Sequence, residues 1–166
     1  MRGSVDRRNE KVALKNIKNI LFVCTGNSCR SIMAEGYLRH RAVEKGLDIE
    51  VRSAGTLGIQ GLSPAREALK ALTSAGIDIS DLRSKVLTGD HIEWSDLILV
   101  MEPMHKQKIR EMVPEAGPKT FYLGEFNPEK GDMVIPDPIG RPYSFYRASF
   151  RLIRQCIEGM LEWLEQ

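Results

Sequence analysis

A chain of 166 residues with 42% hydrophobic and 28% charged content is long enough for one domain with a substantial core, and no apolar run approaches the roughly 18 residues of a membrane span. The formal charge of +2 is unevenly placed: residues 1–18 hold six lysines and arginines against two acids, which leaves the remainder at −2 and argues against a nucleic-acid partner. Three cysteines without framework spacing point to a reducing, cytoplasmic setting.

The leading segment lacks the hydrophobic stretch of a secretory signal, and Met1-Arg2-Gly3-Ser4 has the look of expression-vector sequence. Residues 1–18 are therefore expected to be a basic arm, disordered or vector-derived, ahead of one domain over 19–166. A native arm that docks a partner is the rival reading. Asn19 to Val23 is nearly all apolar, as a strand buried on both faces of a parallel sheet would be. Then come Cys24-Thr25-Gly26-Asn27-Ser28-Cys29-Arg30-Ser31 and a helical pattern through Ala34, Tyr37, Leu38 and Ala42, with Glu35, Arg39, His40 and Arg41 expected outward and Gly46 as the stop. A second strand is predicted over Ile49 to Arg52, with Ser53-Ala54-Gly55-Thr56 as the step after it.

Ser63-Pro64 reads as a helix start, with Glu67 placed to close back on it, and the pattern runs through Leu72 to Gly76. Thr88 to Trp94 reads as a short helix, Asp96 to Met101 as a third buried strand and Met104 to Met112 as a helix ended by Pro114. Thr120 to Leu123 is a weaker fourth strand. Residues 124–142 are rich in glycine and proline and form a long surface loop, of a length more often functional than idle. From about Tyr143 a final helix carries Leu152, Ile153, Cys156, Ile157, Met160, Leu161 and Leu164 as one stripe, which places Cys156 in the core. Strands alternating with helices predict a single α/β domain, doubly wound around a four-stranded parallel sheet, with ligands at the carboxyl ends of the strands.

The first strand delivers Cys24 to such an end. A polar loop opening a helix offers unpaired N–H groups to an oxyanion, and a phosphate-sized dianion fits. Arg30, at the first helical turn, can close the ring as a planar two-pronged donor, and the same groups favour a thiolate at Cys24. Thr25, Gly26, Asn27, Ser28 and Cys29 supply the rest of the loop. Asn27 suits a left-handed backbone and Gly26 adopts one without steric cost. Ser31 is placed to donate to the thiolate or to cap the helix. Asp137, between Pro136 and Pro138, is presented from the loop as a candidate proton donor. A nucleotide-binding Gly-x4-Gly-Lys motif and a dinucleotide Gly-x-Gly-x-x-Gly are both missing from the sequence. Cys24 and Cys29 lack suitably spaced Cys or His partners for zinc.

Cysteine, five residues, Arg-Ser after a first strand, with an Asp-Pro far downstream, resembles the low-molecular-weight protein tyrosine phosphatases over roughly residues 19–166. It also resembles their sister branches, the protein-arginine phosphatases and the thioredoxin-coupled arsenate reductases. The resemblance implies hydrolysis of phosphotyrosine through a cysteinyl-phosphate on Cys24, with Arg30 and the loop amides holding the equatorial oxygens and Asp137 as general acid and then base. No metal or cofactor is implied; the partners implied are a phosphorylated protein and inorganic phosphate or other oxyanions. It further implies that Ser53 braces the loop through Asn27 and that Cys29 is a redox partner able to form a reversible disulfide with Cys24. The family often places a histidine where this chain has Asp81, which leaves part of that bracing unassigned.

Position 28 is often a branched aliphatic in the tyrosine branch and threonine in the arginine branch, and Ser28 matches neither. Ile139 follows the loop acid where many tyrosine-specific relatives carry an aromatic; Tyr143, Phe145 and Tyr146 are alternative cleft walls. Arsenate reductases need further cysteines after the third strand, where this chain reads Met101-Glu102-Pro103-Met104-His105-Lys106. A phosphate-binding regulatory module would lack an acid or a nucleophile.

Overall fold

The computed structural model describes residues 16–166. Reading of the arm as disordered or vector-derived falls on residues 1–15, outside the described residues, but Ile17 and Lys18 join the domain. Ile17 packs against the core, the Lys18 N–H donates to Asp96 at 2.9 Å, and its carbonyl accepts from the Glu50 N–H at 2.7 Å.

Four parallel strands, β1 (Asn19–Cys24), β2 (Glu50–Gly55), β3 (Leu97–Val100) and β4 (Thr120–Tyr122), lie in the order β2-β1-β3-β4. Alternation along β1 sends Ile20 and Phe22 to one face and Leu21 and Val23 to the other, which is why the strand has no polar side. The first face is covered by α1 (Arg30–Lys45), α2 (Arg66–Ser74) and the apolar stripe of the last helix, α5 (Tyr143–Glu165). The second is covered by α3 (Gly89–Trp94) and α4 (Pro103–Met112), through Ile92 and Ile109. Among the described residues no helix is long and apolar enough to cross a membrane.

Three local expectations change. β2 runs on through Ser53-Ala54-Gly55, with Gly55 paired to Cys24, so the small residues belong to the strand rather than to a turn after it. Gly55 has no room for a side chain: a Cβ there would stand 2.6 Å from the Thr25 carbonyl and 2.7 Å from that of Leu57. Ser63-Pro64 does not start α2. The chain stays extended to Ala65, which makes no side-chain cap, and its N–H instead donates to the Ser28 carbonyl at 3.0 Å. Glu35 is buried rather than outward, because it lies one turn beyond Ser31 on the same face of α1, against β2. Burial raises its carboxyl above the ordinary range, while the Arg39 guanidinium at 3.2 Å and Ser53 pull the other way.

Candidate active site

The order β2-β1-β3-β4 makes the chain leave β1 toward one edge and β3 toward the other, so a crevice opens between their carboxyl ends. The loop from Cys24 to Cys29 fills one side of it. Helix α1 has no side-chain cap at Cys29, so its first N–H groups stay open toward the loop. Asn27 takes φ +52°, the left-handed backbone its residue type tolerates, whereas Gly26 does not adopt a positive φ. The glycine that turns positive against this loop is Gly58, at φ +113°, where a Cβ would stand 3.2 Å from the Gly26 carbonyl.

Asn27 is wholly buried and organises the loop. Its amide Nδ2 donates to Ser31 Oγ and Ser53 Oγ, both at 2.8 Å, and its Oδ1 accepts from the Lys85 N–H at 2.9 Å. Since Ser31 Oγ already accepts from Asn27, its own proton is free for Cys24 Sγ, 2.8 Å away. Asp81 is exposed; the Lys85 backbone amide supplies the contact on Asn27 Oδ1.

Arg30 is 2% exposed and held from three sides. One terminal nitrogen donates to the Ile135 carbonyl at 2.8 Å and pairs with Glu102 at 3.1 Å; the other lies 3.5 Å from the Asp137 carboxylate. The guanidinium therefore crosses the crevice and ties the start of α1 to the proline-rich loop. Asp137 Oδ1 also accepts from the Ile139 N–H at 3.1 Å, which orients the carboxyl group. Cys24, Gly26, Ser28, Cys29, Arg30, Asp137 and Ile139 line one pocket. Thus Cys24, Arg30 and Asp137, spread over more than 110 positions, face a common space.

Two residues that sequence reasoning passed over complete this arrangement. Glu102, second after the β3 end, pairs with the buried Arg30. His105 is fully buried: its Nδ1 accepts from the Glu102 N–H at 3.1 Å, so the neutral ring carries its proton on Nε2 and donates to Thr25 Oγ1 at 2.9 Å. Burial, and then the nearby Arg30 charge, push its pKa down to about 4. The only signal in the sequence was their position, at the carboxyl end of the strand beside β1.

The three thiols are free. Cys29 Sγ donates to the Tyr146 hydroxyl at 3.6 Å, and burial raises its pKa. Cys156 lies in the core, where burial pushes its thiol up to about 12. Tyr146 is thus a support beneath the loop, Phe145 is half exposed with Arg141 stacked on it, and Tyr143 turns toward Lys70 and Ser74; the pocket wall is Ile139. Leu57 and Ile59, both largely exposed, stand on the loop that abuts Gly26. Among the described residues no group of three or more His, Cys, Asp or Glu side chains converges as metal ligands do.

A cysteine under a helix start, an arginine closing the loop and an opposed carboxyl group match one known family across most of the chain. The family model for low molecular weight phosphotyrosine protein phosphatases matches residues 19–166. A protein-arginine-phosphatase of Geobacillus stearothermophilus is 39% identical over 88% of this chain and 95% of its own. The low molecular weight protein-tyrosine-phosphatase Ptp of Acinetobacter johnsonii is 36% identical over 84% and 93%. The crystal structure of a low molecular weight protein tyrosine phosphatase from T. tengcongensis superposes with a TM-score of 0.81 at 37% identity, covering 87% of this chain and 98% of that one. On its sequence, its fold and the construction of its phosphate loop, the chain belongs to the low molecular weight phosphotyrosine protein phosphatase family.

Proposed function

We propose that this phosphatase hydrolyses phosphotyrosine in proteins through a cysteinyl-phosphate on Cys24, and that it works in the cytoplasm. The observation that carries the reading is the meeting of Cys24, Arg30 and Asp137 at one pocket. Cys24 Sγ attacks phosphorus in line; the S–P bond forms as the P–O bond to the phenol breaks, and Asp137 gives its proton to the leaving oxygen. Arg30 and the loop N–H groups stabilise the charge that develops on the equatorial oxygens. Asp137 then takes a proton from the water that attacks phosphorus. The S–P bond breaks, and Ser31 O–H stabilises the departing thiolate. Glu102 and the Ile135 carbonyl hold Arg30 in plane for this work, and Ser53 does so for the loop by way of Asn27.

Exposed Leu57 and Ile59 on one side and Ile139 on the other give the mouth an apolar rim suited to a phenyl ring. Phosphoarginine is the second reading, supported by the protein-arginine-phosphatase relative. The test measures kcat/KM on matched phosphotyrosine and phosphoarginine peptides, for wild type and Cys24→Ser. Wild type is expected to prefer phosphotyrosine, and Cys24→Ser to bind vanadate without turnover. A preference for phosphoarginine selects the second reading, and turnover by Cys24→Ser removes the nucleophile.

A further inference from the structure

Between α2 and α5 runs a groove of about 310 Å3 that takes no part in the chemistry above. Its floor is Phe150 with the small side chains of Ala71 and Ala75, and its rim is Arg147, Arg151 and Arg154. These arginines recur at helical spacing on one face of α5. Arg154 lies over the rings of Tyr37 and Phe150, at 5.3 and 5.4 Å from their centres, so aromatic faces rather than an acid hold it. Arg147 and Arg151 are exposed and have no acidic partner among the described residues. Lys70, on α2, adds a fourth charge 4.2 Å above the Tyr143 ring, and no carboxylate lines the groove. Outside residues 1–18 the chain carries −2, so this is a local concentration of cations on an otherwise acidic body.

Helix α2 leads from the catalytic mouth, at its first turn, to the groove, which Ala71, Ser74 and Ala75 line at its other end. Helix α2 begins where the Ala65 N–H meets the Ser28 carbonyl at the pocket lip, and its exposed Arg66 and Lys70 stand one turn apart on the way to the groove. Glu67, between them in sequence, is half-buried within electrostatic reach of the Tyr146 hydroxyl. The nine residues of α2 span about 14 Å at 1.5 Å each, the length of about four residues of extended peptide.

We propose that this groove is a docking site for an acidic segment of the phosphoprotein substrate, about four to eight residues from the phosphorylated side chain. The proposal rests on the phosphatase reading above and adds a determinant that the reaction does not use. Charge complementarity and the path along α2 favour a peptide that enters the pocket at one end and lies across the arginines at the other.

The test compares kcat/KM for phosphopeptides with one phosphorylated residue, phosphotyrosine or phosphoarginine, and a glutamate-rich, neutral or lysine-rich tail on either side. p-Nitrophenyl phosphate reports the chemistry alone. For one direction of the tail the glutamate-rich peptide is expected to exceed the neutral one about tenfold at low salt, and the advantage to vanish near ~0.5 M salt. Arg147→Glu with Arg151→Glu should erase the advantage and leave p-nitrophenyl phosphate turnover unchanged. Should that pair fold poorly, Arg147→Ser with Arg151→Gln is read instead, alongside competition of wild-type turnover by an unphosphorylated glutamate-rich peptide. No advantage for the acidic tail, or one that survives removal of the charges, overturns the docking site while leaving the phosphatase intact. Charge-dependent sedimentation with phosphatidylserine vesicles, without a peptide preference, overturns it in favour of a lipid surface. No turnover of any phosphorylated substrate overturns the phosphatase reading, and the docking site with it.

Discussion

At Asn27 a single amide satisfies two serine hydroxyls and a backbone N–H while its own backbone sits at φ +52°, so the loop's shape and the Ser31 contact to Cys24 depend on one side chain. Asp137 is different in kind. It is exposed, anchored through Ile139, and 3.5 Å from Arg30, a position from which its carboxyl can reach an ester oxygen in the pocket. Asp137→Asn is expected to lower kcat on a phosphotyrosine peptide by on the order of 100-fold or more, the range for a positioned general acid. p-Nitrophenyl phosphate, whose leaving group needs less protonation, should lose much less. Equal losses on both substrates would remove Asp137 as the acid.

Elements set which glycine matters. Sequence alone pointed to Gly26, in the loop, yet a Cβ there meets only Ser28 Oγ at an ordinary 3.7 Å. At Gly55, at the end of β2, a Cβ would meet three backbone atoms within 3.0 Å, two from the Cys24–Cys29 loop and one from Leu57. Gly55→Ala must push the strand end from the phosphate loop and should cost about 1–3 kcal/mol, with weakened vanadate binding. Gly26→Ala should change stability by less than about 0.5 kcal/mol. Urea midpoints for the two variants, with vanadate titrations, check this; similar midpoints would mean the loop yields where the contacts say it is held. Gly159 on α5 meets the same restriction against the Phe126 carbonyl, where the last helix packs on the turn after β4.

For the whole molecule, the buried His105 makes folding sensitive to acid. Its pKa is near 6.5 in an unfolded chain and about 4 in the fold. Between these values the unfolded state binds more protons, so this contribution is complete above pH ~6.5 and is lost as the pH falls to ~4. The loss is on the order of 2–3 kcal/mol. Glu35, whose pKa is raised by burial, acts in the opposite sense, since its protonated form is the one the fold favours. His105→Gln should lower stability at pH 7 and flatten the acid limb between pH 6.5 and 4, read from urea midpoints across pH. If wild type and variant show the same slope, the acid sensitivity lies elsewhere.

Amino-acid order by itself determined the strands and helices with strong periodicity and the local phosphate loop. Apolar runs and the Cys24-to-Ser31 spacing are properties of adjacent residues. Asp137 was singled out by the family resemblance together with its two flanking prolines, which limit how the chain presents it. Tertiary structure decided the partners that share no sequence neighbourhood. Lys85 reached Asn27 because its segment pairs with the end of β2 at Gly55, while Glu102 reached Arg30 and His105 reached Thr25 because β3 docks beside β1 and their loops diverge at one crevice. Burial of Glu35, the crowding of Gly55 and the arginine groove between α2 and α5 likewise follow from which faces pack together. A one-dimensional pattern records how often apolar residues recur, but the closeness of distant side chains is set by sheet order and helix packing.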